Sequence, residues 1–381
     1  MPTAMPQATT SSDSTTRTDL LGLTPMEAEA RLLEHFRKLG EPDFRVSQVL
    51  DWLYRTQATS IEDMTNLSRK ARGRLSEVFS LAEPTVERLS RSNDGTAKHL
   101  WRLSDGELVE SVLIPAGHRL TLCISSQAGC AMGCTFCATG WGGFSRQLTA
   151  GEIVAQYRTS LRWSEAEGYG KISNVVYMGM GEPLANRKAV LPSLTILNRG
   201  YGLGARRITV STVGVVPGIL ALAQRPEQFG LAVSLHAPLT ELRAELIPLE
   251  ERYPLPELMD ALRTFNDAGG RRITFEYTMI DGVNDSPSLI GPLAALAREV
   301  HAFVNLIPFN PIPYQDWTAT PPAGLRRFRE GLEAAGVAVA IREPRGRDID
   351  AACGQLRANA LVELEAPGPG RGRPAEATDA E

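Results

Sequence analysis

The stretch HRLTLCISSQAGCAMGCTFCATG, residues 118–140, decides the fold. Its first half, LTLCISS from residue 120, is an apolar and β-branched run of strand length. Its second half is a glycine-rich loop that sets Cys130, Cys134 and Cys137 at C-x3-C-x2-C. With five cysteines in 381 residues, such a triplet arises by chance roughly once in a thousand sequences. Thiolates at this spacing on a tight loop converge on one metal centre, and Gly129, Gly133 and Gly140 let the backbone wrap around it. Three thiolates rather than four leave one position of the centre open, because closed zinc sites and electron-transfer clusters take four protein ligands. On these residues two other readings stay open: a structural zinc site that borrows a histidine from outside the loop, and three buried cysteines without metal.

Downstream of this loop, β-rich runs alternate with helical stretches. The runs are ISNVVYM at 172, RITVSTV at 207, GLAVSLH at 230, RITFEYT at 272 and AFVNLIP at 302; the helices are expected at 150–167, 187–199, 254–268, 286–300 and 322–335. Counted with the run at 120, six β–α repeats predict an α/β fold, a parallel sheet with helices outside, open or partly closed as a barrel. VAVAIRE at 337 adds a seventh, edge strand.

Upstream, Thr24, Pro25 and Glu27 form a capping box with proline at the first helical position, and Leu32, Leu33, Phe36 and Leu39 recur at helical spacing until Gly40. Val46/Val49/Leu50/Leu53 and Leu67/Ala71/Leu75/Val78 predict two more helices, and so a small helical N-terminal domain. SRSNDGTAKHLWRLSDGELVESVLIP, residues 90–115, carries Asp-Gly turn signals between alternating segments and predicts short antiparallel strands. The expected division is a disordered tail at 1–20, the helical domain at 21–85, a β-hairpin linker at 86–117, the catalytic domain at 118–360 and a second tail at 361–381.

A hydrophobic content of 43% fills a sizeable core, and no apolar run reaches membrane-spanning length. An odd cysteine count with three in one loop argues against a secreted disulfide framework and for a reducing, cytoplasmic setting. The net charge of −4 gives no general attraction to polyanions, so nucleic acid must be met by local patches. The candidates are Arg45 with Lys70, Arg72 and Arg74; Arg206 with Arg207; and Arg342, Arg345 and Arg347.

The remaining polar motifs follow the strands, where β/α folds collect ligand groups. Gly179-Met180-Gly181-Glu182-Pro183 combines close backbone approach with a carboxylate acceptor; Ser211 and Thr212 end the third strand; Ser234, Leu235 and His236 end the fourth; Asn310 follows the sixth. Cys123 lies on the first strand and Cys353 in RGRDIDAACGQL. Singly, each has an ordinary structural reading as a turn, a satisfied histidine or a small buried residue.

As a set, C-x3-C-x2-C, GMGEP, SLH, IPFNP, Cys123 and RGRDIDAACGQL closely resemble the RlmN family of the radical S-adenosylmethionine (SAM) superfamily, from about residue 20 to about residue 360. The resemblance implies a [4Fe-4S] cluster on Cys130, Cys134 and Cys137 whose open iron chelates the amine and carboxylate of SAM, with Gly181, Glu182, Ser211, Ser234, Leu235, His236 and Asn310 on the SAM side. One-electron reduction then yields a 5′-deoxyadenosyl radical. It further implies methylation of C2 of adenine, in 23S rRNA at the peptidyl-transferase centre and in tRNA beside the anticodon. An sp² adenine carbon is too weak a nucleophile for ordinary methyl transfer, which is why a radical route is needed. One SAM methylates Cys353, a second supplies the radical that takes hydrogen from the S-methyl group, and the methylene radical adds to the base. Glu110 matches the position of the family's proton acceptor, and Cys123 attacks the sulfur of Cys353 to release RNA and leave a transient disulfide. A flavodoxin or ferredoxin as electron donor and a monomeric state are also expected. The rival within the class is the Cfr relatives' methylation of C8; outside it, a non-catalytic iron–sulfur RNA-binding protein. The sequence departs from the family at Glu250, Pro344 and Arg347, where local RNA contacts are the expected casualty.

Overall fold

The computed structural model describes residues 17–356; most of the tail expected at 1–20 and all of that expected at 361–381 lie outside the described residues. The helical unit begins a little earlier than the sequence suggests, because Thr18–Asp19 (β1) pairs in parallel with Phe79–Ser80 (β2). This pair closes a unit of Pro25–Lys38 (α1), Phe44–Asp51 (α2) and Arg69–Val78 (α3). The capping box forms as the sequence predicts: the Glu27 N–H donates to Thr24 Oγ1, and the Glu27 carboxylate accepts from the Thr24 N–H at 2.9 Å. Leu32, Phe36, Val49, Leu53 and Leu75 make this unit's own small core.

Three antiparallel strands follow: Thr85–Arg91 (β3), Ala97–Arg102 (β4) and Leu108–Ala116 (β5). They do not stand apart, because β5 pairs with Arg119–Cys123 (β6) and extends the main sheet. The cluster loop is framed by a hairpin, Gln127–Gly129 (β7) with Phe144–Gln147 (β8), around the short helix Ala138–Trp141 (α4). The parallel strands Asn174–Tyr177 (β9), Ile208–Thr212 (β10), Gly230–Ser234 (β11), Thr274–Met279 (β12), Phe303–Pro308 (β13) and Val339–Ile341 (β14) complete a ten-stranded sheet. Its order is β14-β13-β12-β11-β10-β9-β6-β5-β4-β3, parallel from β6 to β14. The six expected strands and the seventh at 339 are all present, and the edges β14 and β3 do not meet, so the barrel is partial.

Helices Ala150–Ala166 (α5), Arg187–Thr195 (α6), Val216–Ala223 (α7), Thr240–Leu246 (α8), Leu255–Asp267 (α9), Ile290–Glu299 (α10) and Pro322–Ala334 (α11) lie between the strands. Val210, Val233, Phe275, Val304 and Leu306 have no exposed surface, as parallel strands covered on both faces require. Arg158 of α5 fastens the N-terminal unit: its guanidinium donates to the Leu53 carbonyl at 3.0 Å and to that of Ala58, and pairs with Glu83 at 2.6 Å. Among the described residues no helix is long and apolar enough to cross a membrane.

Candidate active site

One cavity opens beyond the C-terminal ends of the parallel strands. Of the residues singled out in the sequence, Cys130, Cys134, Cys137, Gly181, Glu182, Ser211, Ser234, His236, Asn310 and Cys353 all line it. Leu235 does not: its side chain is wholly buried in the core, and its N–H donates to the Glu276 carbonyl at 3.0 Å. Cys123 and Glu110 are buried and are not among the lining residues.

The cysteine loop is held on both sides. The Cys130 N–H donates to the Gly143 carbonyl at 2.8 Å, the Thr135 N–H to the Leu246 carbonyl at 3.1 Å at the end of α8, and the Ala138 N–H to the Gly354 carbonyl at 2.7 Å. Burial pushes the Cys130 thiol up to about 12 and Cys134 well above its ordinary value. Such thiols shed their protons only to a bound cation, the condition under which a metal centre forms. The three thiols line one cavity, with Cys137 close enough to raise the cost of ionising both Cys130 and Cys134, and three thiolates bind three irons of a cluster and leave the fourth open. The donor set therefore fits a [4Fe-4S] cluster with an open iron.

Facing the loop is the Gly179–Pro183 turn. A Cβ on Gly179 would come within 2.6 Å of the Ile124 carbonyl, and one on Gly181, at φ +97°, within 2.4 Å of Gln127, so both positions demand glycine. The Glu182 carboxylate accepts from the N–H groups of Leu184 and Val213, each at 2.9 Å, yet burial still raises its pKa to about 7. A carboxyl so placed has a deficit of positive charge, which a ligand ammonium or amine hydrogen fills. His236 sits at φ +57°; its Nδ1 accepts from the Thr278 N–H at 2.9 Å, and its ring meets Phe136 edge-on at 4.3 Å. Burial lowers its pKa to about 3, so the ring is neutral with its proton on Nε2. The Asn310 amide, expected on the SAM side, is engaged within the protein: Nδ2 donates to the Cys353 carbonyl at 3.2 Å and Oδ1 accepts from Arg347 Nε at 3.0 Å.

Cys353 is exposed in this cavity, and it lies close enough to the Cys123 thiol at the end of β6 to raise that thiol's cost of ionising. Arg342 lies with them. Its guanidinium holds its proton more firmly than usual through Cys353 first, then Glu276 and Cys123. Glu110, on β5, pairs with Lys98 on β4 at 3.1 Å, both nearly inaccessible to solvent.

The family model for the ribosomal RNA large subunit methyltransferase N-terminal domain matches residues 18–81, the unit from β1 to β2, and that for the radical SAM superfamily matches residues 124–288. A crystal structure of a radical SAM methyltransferase from Sphaerobacter thermophilus superposes with a TM-score of 0.84 at 45% identity, covering 90% of this chain and 99% of that one. A protein of Gemmatimonas aurantiaca named as a probable dual-specificity RNA methyltransferase RlmN is 48% identical over 345 residues, 90% of this chain and 94% of its own length. The chain belongs to the RlmN family. A Marinomonas sp. RlmN, named as a dual-specificity RNA methyltransferase, is 42% identical over 349 residues, 89% of this chain and 93% of its own.

Against the RlmN pattern, two departures turn out to serve the scaffold. Glu250 is not at an RNA-facing surface: it is buried, accepts from the Leu255 N–H at 2.6 Å and pairs with Arg243, whose guanidinium also reaches the Val213 carbonyl. Arg347 holds Asn310 and, through it, Cys353. Arg342, read as part of a basic surface patch, belongs to the cavity instead. Arg206 and Arg207 precede β10 and so lie at the opposite end of the sheet from the cavity. Sequence reasoning missed Glu276 and Arg342 as site residues, although both carried a signal: a carboxylate inside an apolar strand, and a cation directly after the last one.

Proposed function

We propose that this RlmN-family chain is an RNA methyltransferase that methylates C2 of an adenine in 23S rRNA at the peptidyl-transferase centre and in tRNA beside the anticodon. The single observation that carries the reading is that Cys353, the three cluster thiols and Glu182 line one cavity, with Cys123 beside Cys353. When bound, a [4Fe-4S] cluster on Cys130, Cys134 and Cys137 supplies the electron that cleaves SAM to a 5′-deoxyadenosyl radical. Glu182 and the Gly181 backbone hold the amino end of SAM, while Ser211, Ser234 and the Nε2–H of His236 offer hydrogen bonds to its ribose and carboxylate. Cys353 carries the methyl group to the base on a loop held at its carbonyl by Asn310. Glu110 takes the ring proton. Once the adduct has returned its odd electron to the one-electron carrier, Cys123, as thiolate, attacks the sulfur of Cys353, forming a disulfide as the carbon–sulfur bond breaks and the released methylene carbon takes up a proton to become methyl; an external thiol or electron source then resets the pair. A flavodoxin or ferredoxin fits the need for a one-electron donor.

The test is methylation of RNA fragments by anaerobically prepared enzyme, with the product nucleoside identified by mass spectrometry. 2-Methyladenosine is expected, with Cys353→Ala inactive on RNA but still cleaving SAM, and Cys123→Ala trapping RNA covalently. A C8 product would assign the chain to Cfr-type chemistry, and normal turnover by either variant would refute the cysteine roles.

A further inference from the structure

The loop bearing Cys353 is gripped by one hairpin. Ser92 Oγ donates to Asp348 at 2.5 Å and the Asn93 N–H at 3.1 Å; Asp94 accepts from the Gly346 N–H at 3.0 Å; and Lys98 Nζ donates to the Asp350 carbonyl at 3.0 Å. All four belong to β4 or to the turn before it. The sheet register shows what this achieves. Lys98 stands opposite Val112, which stands opposite Cys123, so the three share a face of three adjacent strands. Glu110, two residues before Val112, shares that face and meets Lys98 diagonally at 3.1 Å.

We infer that Lys98 is a positioning residue that couples the proton acceptor Glu110 to the Cys353 loop, keeping the carboxylate charged and at a fixed distance from the methyl carrier. The inference rests on the proposed role of Glu110. A carboxylate 1% exposed stays ionised only beside a cation or strong donors, and the Lys98 ammonium supplies that charge at contact distance. An ammonium has three donors, and here one serves the base and another serves the backbone three residues before Cys353. The other titratable groups brought to this face are Cys123 on β6 and Cys353, Asp350 and Arg342 from the C-terminal segment. Of these, Arg342 acts on the two cysteines and on Glu276. In the step concerned, the proton on the substituted ring carbon moves to a Glu110 oxygen, leaving a neutral carboxylic acid against Lys98.

The experiment follows release of a labelled RNA hairpin from its covalent adduct in cluster-loaded, full-length enzyme, as a function of pH. Lys98→Met is expected to methylate Cys353 and form adduct, verified by intact mass, but to release RNA at least about tenfold more slowly than the parent at every pH. Lys98→Arg should keep the parent profile, and Lys98→Gln, which retains a donor for Asp350, should behave as Lys98→Met and serves in its place if the latter does not load its cluster. A parent-like rate and profile in Lys98→Met or Lys98→Gln, with Glu110→Gln holding its adduct, overturns the inference alone. Normal release by Glu110→Gln overturns the role of Glu110 itself.

Discussion

Raising the pH should speed release of RNA from the enzyme, because the resolving thiol is held far from its ordinary ionisation. Burial pushes Cys123 up to about 12 from an ordinary 9.0, and neighbouring Cys353 pushes the same way, against Arg342 and the Met178 N–H. Only the thiolate attacks sulfur, so near pH 8 about one molecule in ten thousand is poised, against about one in ten for an unperturbed thiol. The more basic thiolate is a better nucleophile, which returns about 1.3 of those three orders of magnitude and leaves release about 50-fold slower than for an exposed cysteine. The slope is the sharper signature: about tenfold in rate per pH unit between about 7 and 9, since ionisation is far from complete there. Arg342→Met removes a cation that favours the thiolate and should slow release further. Adduct formed in a single turnover, moved to each pH and quenched on a denaturing gel, gives the rates. A release rate flat across this range would refute the placement of Cys123 as the buried resolving thiol.

Further outcomes follow from the scaffold and the charged groups. Glu250→Ala leaves the buried Arg243 unpaired and should cost about 3–5 kcal/mol, measured by denaturant melts, while Arg243→Met with Glu250→Leu recovers most of it; a loss below about 0.5 kcal/mol would sink the pairing. The Glu182 pKa is raised by burial from 4.5 to about 7, so its contribution favours the fold below pH 4.5 and is lost as pH rises through 7. Glu182→Gln should therefore gain up to about 3 kcal/mol on the SAM-free parent above pH 7 and lose SAM binding; equal stability profiles would contradict the burial argument. Arg69, Lys70 and Arg74 are exposed on one helix, α3, and replacing them with Gln should reduce the salt slope of RNA binding by about 0.7–0.9 for each phosphate that is no longer neutralised. An unchanged slope would place the RNA elsewhere.

The parallel strands were legible because their runs, such as RITVSTV and RITFEYT, are β-branched and short, and amphipathic helices such as α9 and α11 lie between them. Three helices were not, the four-residue α4 among them. VPGILALA in α7 is apolar all round and so shows no helical period, and TELRAEL in α8 is only seven residues long. In the site, the strand-end residues could be picked out because position after a strand is itself a signal. Lys98, Glu276, Arg342 and Glu250 could not be placed, because their partners Glu110, Asn305, Cys353 and Arg243 are supplied by strand pairing and loop packing. Arg342 illustrates the difficulty: one cation among three in six residues reads as solvated surface, and only the position of the Cys353 loop turns it inward.

The most direct measurement is the intact mass of the Cys353-containing peptide after anaerobic incubation of cluster-loaded enzyme with SAM and reductant. One added methyl group on Cys353, absent when Cys130, Cys134 and Cys137 are replaced by Ala, is expected. An enzyme that methylates RNA while Cys353 stays unmodified at every time point would contradict a cluster-dependent methyl carrier at this position.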